Sequence, residues 1–289
     1  MSTVQATLTG ALLGGLYAVM AVGLSVSWGM LRVINLAHFG MILLGAYLTF
    51  QLATGWGLDP ILTLVITVPV MFVLGAGLQW VYERTGLVEF TSLLVSFGVM
   101  IIAIQAVHNI WTADFQRMGP QANPYGTRSL FLGGLALPVS TLIAFGFGAV
   151  LIGAAWLLLR TTFAGRAVRA FAEDRAVAAA YGIDHRRLGM LVAGISGATA
   201  AVAGMLWALS YTLIPDAPYE WIGIVFAVVI LGGIGHVLGT LGAGVLVGVL
   251  TSVVSVIWES RAALVVVFAV IILALLVRPH GLFVRKAAA

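Results

Sequence analysis

Of the 289 residues, 62% are hydrophobic and only 8% are charged, against about 25% charged in an average soluble domain, so lipid must be the solvent for much of the surface. The net charge of +4 comes from arginines at the ends of apolar runs, which points to membrane orientation and away from nucleic acid as a partner. No cysteine is present, excluding disulfides, thiolate metal sites and cysteine nucleophiles, and no basic segment precedes the first apolar run as a cleavable signal would require.

Charge-free runs cover 1–31, 33–58, 60–82, 90–113, 129–159, 188–215, 221–258 and 262–277. Most hold the ~20 residues that a helix needs to cross the hydrocarbon layer. The run 221–258 is too long for one crossing. It contains Gly232-Gly233-Ile234-Gly235-His236, where a turn costs least. The expected fold is therefore an all-α, polytopic transmembrane bundle of about nine spans, with 8 to 10 as the range. The whole chain, 1–289, forms one transmembrane domain with a cytoplasmic loop at 160–187.

Charge sets the orientation. With nine spans and the loop 160–187 inside, Arg32, Arg84, six loop arginines, Arg278, Arg285 and Lys286 lie inside, and only Arg117, Arg128 and Arg261 lie outside. That split of eleven to three follows the positive-inside rule, with the N-terminus outside and the C-terminus cytoplasmic. The segment from Thr112 to Leu137, rich in Gly, Pro and Asn, reads as an external solvent loop.

Only one lysine occurs, Lys286, close to the end of the chain. A phosphate-binding loop with Gly-Lys-Ser/Thr cannot be built, so any ATP-driven process needs its ATPase on another chain. The segment Arg160–Arg187 offers a surface for one. Gly165 releases the preceding span, Ala167 to Tyr181 reads as one helix-forming stretch, and Gly182 suits a left-handed helix end. An Ala-rich helix with a few arginines suits protein packing better than lipid anchoring, although anionic membrane lipid is the simpler partner.

Four stretches carry a resemblance: 15–47 (GLYAVMAVGLSVSWGMLRVINLAHFGMILLGAY), 165–183 (GRAVRAFAEDRAVAAAYGI), 228–244 (VVILGGIGHVLGTLGAG) and 278–283 (RPHGLF). In order and over nearly the full chain, they resemble the shorter permease subunit of bacterial importers for branched-chain amino acids driven by an ATP-binding cassette. One departure is local: Phe39 and then Gly40 follow His38, where the family commonly has Gly directly after the histidine. The resemblance implies a multi-pass protein of the bacterial inner membrane with no cofactor and no ATPase site of its own. It implies as partners a second permease subunit, two cytoplasmic ATPases and a periplasmic substrate-binding protein. It also implies that the loop couples to the ATPase. The residues expected to do so are Gly165, Arg166, Arg169, Asp174, Arg175, Ala178, Ala179 and Gly182.

Asn35-Leu36-Ala37-His38 supports two readings. Asn35 fits a helix N-cap, with the pair satisfying free backbone N–H groups. Alternatively, Asn35 and His38 are candidate pathway-lining residues, since polar side chains at membrane depth usually face a cavity. Gly10/Gly14, Gly235/Gly239 and Gly244/Gly248 match Gly-x-x-x-Gly. With so many glycines, about four such matches arise by chance, so the motif names no partner.

Two rivals come from other classes. An ion-coupled secondary transporter or channel would want a carboxylate within a span, whereas the acidic residues here fall near span ends. An intramembrane serine protease could use Ser196 in Gly194-Ile195-Ser196-Gly197, with His236 as its base. In a chain this rich in glycine that tetrapeptide reads more simply as helix packing.

Overall fold

The structure, a computed structural model, describes residues 3–86, 89–132, 134–258, 260–278 and 281–283. Eleven helices and one short hairpin follow in order: α1 (Thr3–Leu31), α2 (Ala37–Gly55), α3 (Leu64–Thr85), α4 (Glu89–Trp111), β1 (Ser129–Leu132), β2 (Leu135–Pro138), α5 (Val139–Thr161), α6 (Phe163–Glu173), α7 (Arg175–Ala180), α8 (His185–Ser210), α9 (Ala217–Gly232), α10 (Val237–Ile257) and α11 (Ser260–Val277). Seven helices are long and apolar enough to cross a membrane, and the protein is a multi-pass helical membrane protein. The apolar run 221–258 is divided where the glycines stand. Gly233 (φ 89°) ends α9, and His236 opens α10 by accepting a hydrogen bond from the Gly239 N–H.

Burial separates an inner set of helices from an outer one. In the most apolar window of α1, α2 and α8, 78%, 72% and 72% of residues are buried, against 17–28% in α3, α4, α5 and α10. The outer helices leave Val65, Val73, Ile102 and Val150 exposed, as side chains facing lipid tails should be. Close approach in the interior rests on small residues. A Cβ on Gly14 would lie 2.5 Å from the Gly244 carbonyl oxygen, and one on Gly10 would lie 2.6 Å from that of Gly248. Two of the Gly-x-x-x-Gly matches are thus each other's partners, packing α1 on α10 within one chain.

The loops gather at two ends. At one end, Gln5 donates to the Ala136 carbonyl (3.2 Å), Tyr125 to Asp59 (2.7 Å) and Asn123 to the Leu209 carbonyl (2.9 Å). At the other, Arg32 donates to the Ala172 carbonyl (3.2 Å), the Leu282 N–H bonds to the Leu231 carbonyl (2.9 Å), and His185 faces Glu83 at 3.8 Å. This second end carries the basic segment 160–187 and is called the basic end below. The first is the hairpin end.

Two expectations need correction. The fold is mostly rather than wholly helical: within the external segment, β1 and β2 pair antiparallel from Ser129–Pro138 to Leu132–Leu135, with Gly134 between them at φ 84°, a value that glycine adopts freely. The stretch Ala167–Tyr181 is two helices, broken where Asp174 turns extended (φ −146°). Its carboxylate then accepts from the Val177 N–H at 3.0 Å. An Asp that can satisfy a free N–H competes with helix continuation. Arg285 and Lys286, and the side chains of Arg175 and Arg261, lie outside the described residues.

Candidate functional site

The basic segment is built as a clamp across the bundle end. Thr162 leaves the helical region (ψ 158°) and its hydroxyl accepts from the Gly165 N–H at 3.0 Å, which starts α6. A Cβ on Gly165 would lie 2.5 Å from the Leu158 carbonyl oxygen, so only glycine lets α6 fold back against the end of α5. Val168 and Phe171 bury themselves with Met30 and Leu31 of α1 and Leu188 of α8, and Arg32 reaches the Ala172 carbonyl. Gly182 (φ +82°) closes α7 in the left-handed region, as its type predicts. Asp184 then caps α8, accepting from the N–H groups of Arg186 (3.0 Å) and Arg187 (3.3 Å). The Arg187 N–H and then the Arg186 N–H and nearby positive charge hold its carboxyl below the usual carboxylate range.

The coupling residues expected from the sequence therefore divide. Arg166, Arg169, Asp174 and Ala179 are exposed, Gly165 and Gly182 shape the turns, and Arg175 begins α7. Ala178 is 3% exposed and packed inside this chain's own core with Val168 and Phe171. Sequence reasoning passed over Phe163 (77% exposed), Val177 (52%) and Tyr181 (85%). These put apolar surface beside the arginines, and the signal was their failure to follow the buried stripe Val168–Phe171.

Asn35 and His38 sit where the chain re-enters the bundle. After α1, residues 32–36 are non-helical, and Ser96 of α4 accepts from the Leu36 N–H (3.0 Å) while its own proton points to the Leu93 carbonyl of its helix (2.9 Å). Asn35 accepts from the Ala37 N–H at 3.1 Å, but it is not the expected N-cap: Leu36 holds that position of α2, with no side-chain capping bond. The His38 side chain does something else. It is fully buried, with Nε2 3.0 Å from the Met20 carbonyl and Nδ1 3.3 Å from Ser196 Oγ. A carbonyl only accepts, so Nε2 carries the proton and the Ser196 hydroxyl donates to Nδ1. Met20 lies eleven residues from the end of α1 and Ser196 eleven from the start of α8, about 17 Å from the basic end. The ring thus joins α1, α2 and α8 near mid-depth. Gly23 makes room for it: a Cβ there would lie 2.7 Å from His38 Cε1.

A cavity of about 370 Å³ links these two regions. Gly23, Ser196 and Thr199 line one part of it and Thr162, Gly165 and Val168 another, nearer the basic end. Displacement of α6 therefore changes the wall of a space whose other wall holds the partner of His38. Chemically the Ser196–His38 pair has the polarity of a nucleophile and a base. Yet Ser196 stands inside α8, where neighbouring N–H groups are used by the helix and none can stabilise an oxyanion. The proposed base, His236, is spent on capping α10. The pair is a packing and hydrogen-bonding hub.

A buried inner set of helices, outer helices with exposed apolar faces and a basic segment folded over one end define a multi-pass helical membrane protein. The chain matches the family described as branched-chain amino acid transport system / permease component over residues 6–275, and it belongs to that family. It is 28% identical to the high-affinity branched-chain amino acid transport system permease protein LivH of Escherichia coli K12, covering 97% of this chain and 95% of that one. It is 27% identical to BraD of Pseudomonas aeruginosa with the same coverage. It is 28% identical to a probable branched-chain amino acid transport permease protein LivH of Methanocaldococcus jannaschii, over 92% of this chain and 88% of that one. No solved structure matches the chain.

Proposed function

We propose that this chain is the membrane-spanning subunit of an importer that moves branched-chain or related apolar amino acids inward, driven by ATP hydrolysis on separate subunits. In this reading nine helices cross the bacterial inner membrane, α9 and α11 being the two shorter crossings. The N-terminus lies outside and the basic end faces the cytoplasm. A second permease subunit, two cytoplasmic ATPases and a periplasmic binding protein complete the complex.

The observation that carries the reading is the clamp. Its inner face is fixed to α1 and α8 by Val168, Phe171 and Ala178, while its outer face presents Arg166, Arg169, Phe163, Val177, Ala179 and Tyr181 to solvent. A rigid element gripped from below and open above can transmit an ATPase's closure into the spans. Ala179→Glu places a charge on the outer face. The variant should insert in the membrane but fail to co-purify with the ATPases, or fail to stimulate their hydrolysis with loaded binding protein. Normal assembly and uptake would place the contact elsewhere. Asn35 and His38 border the pathway at its closed inner end, and the His38–Ser196 link is released when the pathway opens inward.

A further inference from the structure

Seven buried side-chain polar atoms have no hydrogen-bond partner among the described residues. Three of them, Trp207 Nε1, Ser210 Oγ and Trp221 Nε1, lie together on the last turn of α8 and the first turns of α9, at the hairpin end. The other four are spread over α1, α2 and α3. Trp221 is only 2% exposed, so neither bulk water nor lipid headgroups reach its N–H. The rings of Trp207 and Trp221 meet edge to face with centroids 4.8 Å apart, and Tyr211 stacks on Trp207 at 4.4 Å. The indoles are held by their neighbours, with their N–H groups left over.

An indole N–H donates and cannot accept. A buried donor left unpaired is costly, so two adjacent ones with a hydroxyl beside them mark a place where an acceptor with more than one oxygen arrives. We propose that this cluster is the outward-side receiving site for the cargo's α-carboxylate. The two indole N–H groups and Ser210 Oγ grip the carboxylate oxygens, and the aromatic rings border the aliphatic side chain. Glu220 in the first turn of the same helix α9 supplies charge of the sign that suits the α-ammonium group, beside Asp216, whose carboxylate faces His108 Nε2 at 3.4 Å. A charged acceptor makes each of these bonds stronger than a neutral one would. The proposal rests on the importer reading above and adds to it which atoms hold the amino acid on entry.

The test uses the assembled importer in nanodiscs, without binding protein, and the replacements Trp207→Phe and Trp221→Phe, which keep an aromatic ring and remove only the donor and the second ring. L-leucine should change the tryptophan fluorescence of the wild-type complex. Isopentylamine, which has the same aliphatic chain and amine but no carboxylate, should not. With loaded binding protein, uptake by the double variant should fall by roughly ten-fold or more, as the loss of charge-assisted hydrogen bonds implies. An equal response to isopentylamine, no response to leucine in wild type, or wild-type uptake in the double variant would overturn the site. Should the variant fail to assemble, the leucine and isopentylamine comparison on wild type decides alone. If the wild-type complex takes up no branched-chain amino acid at all, the importer reading falls; if it does and the donors prove idle, only this site falls.

Discussion

At the scale of single residues, the buried His38–Ser196 pair ties α2 to α8. Ser196→Ala leaves His38 Nδ1 without its donor, and such a loss costs ~1–3 kcal/mol. The purified protein should therefore melt a few degrees lower while uptake largely persists; loss of a proteolytic activity instead would mean that the pair is catalytic. Gly23→Ala pushes a methyl against the Thr199 hydroxyl first and then toward the His38 ring, which a Cβ would approach to 2.7 Å. Overpacking of this kind costs ~1–3 kcal/mol, and a wild-type melting temperature in this variant would show that Thr199 and the ring both move aside. At the hairpin end, the bond to Asp59, then burial, raises the Tyr125 hydroxyl's pKa above its ordinary value. A raised folded-state value means that the stabilisation is full below the ordinary tyrosine pKa of ~10 and is lost as pH climbs past it. Tyr125→Phe should remove that alkaline sensitivity and lower stability at neutral pH by ~1 kcal/mol, measured by thermal unfolding across pH; an unchanged alkaline profile would assign the loss to other groups.

At the scale of elements, the long apolar helices were legible in the sequence because their signal is summed over some twenty residues, and the charge-free runs place most of them within a few positions; the run 129–159 is the exception, since its first ten residues form the hairpin and α5 starts only at Val139. The glycine break between α9 and α10 was legible for the same reason that it exists: φ of 89° and 79° at Gly233 and Gly235 suits no other residue type. The break at Asp174 was not, since one residue's capping bond to Val177 decided it against a stretch of good helix formers. Neither was the hub. Asn35 and His38 stood out as polar residues in an apolar run, but the partners of His38, Ser196 and the Met20 carbonyl, are 158 and 18 residues away, Ser96, which holds the neighbouring Leu36 N–H, is 60 away, and nothing local marks them. The clamp shows the same division. Its arginines and glycines could be read off, whereas the inward aim of Ala178 depended on where α1 ends. Gly182→Ala tests the clamp as an element. It forces an L-residue to φ +82° at a cost of ~1 kcal/mol, and should reduce ATPase stimulation more than membrane insertion; equal effects on both would make the turn merely structural.

For the whole molecule, the account requires that the basic end face the cytoplasm and the hairpin end the periplasm. A cysteine at Ala179, exposed on α7, should react with a membrane-impermeant thiol reagent only from the cytoplasmic side, and one at the exposed Gln121 only from outside. Asn123 is the wrong reporter there, because its side chain is buried and bonded to the Leu209 carbonyl. The reverse labelling pattern would remove the clamp from the ATPases. Energy supply is the claim on which everything else depends: this chain carries no phosphate-binding loop, and the carboxylates described lie at the helix ends. The most direct measurement is amino-acid uptake into proteoliposomes holding the complete complex, with ATP kept constant while the proton and sodium gradients are collapsed. Uptake should continue undiminished and stop when the ATPase subunits are omitted; uptake by this chain alone, driven by either gradient, would contradict the account.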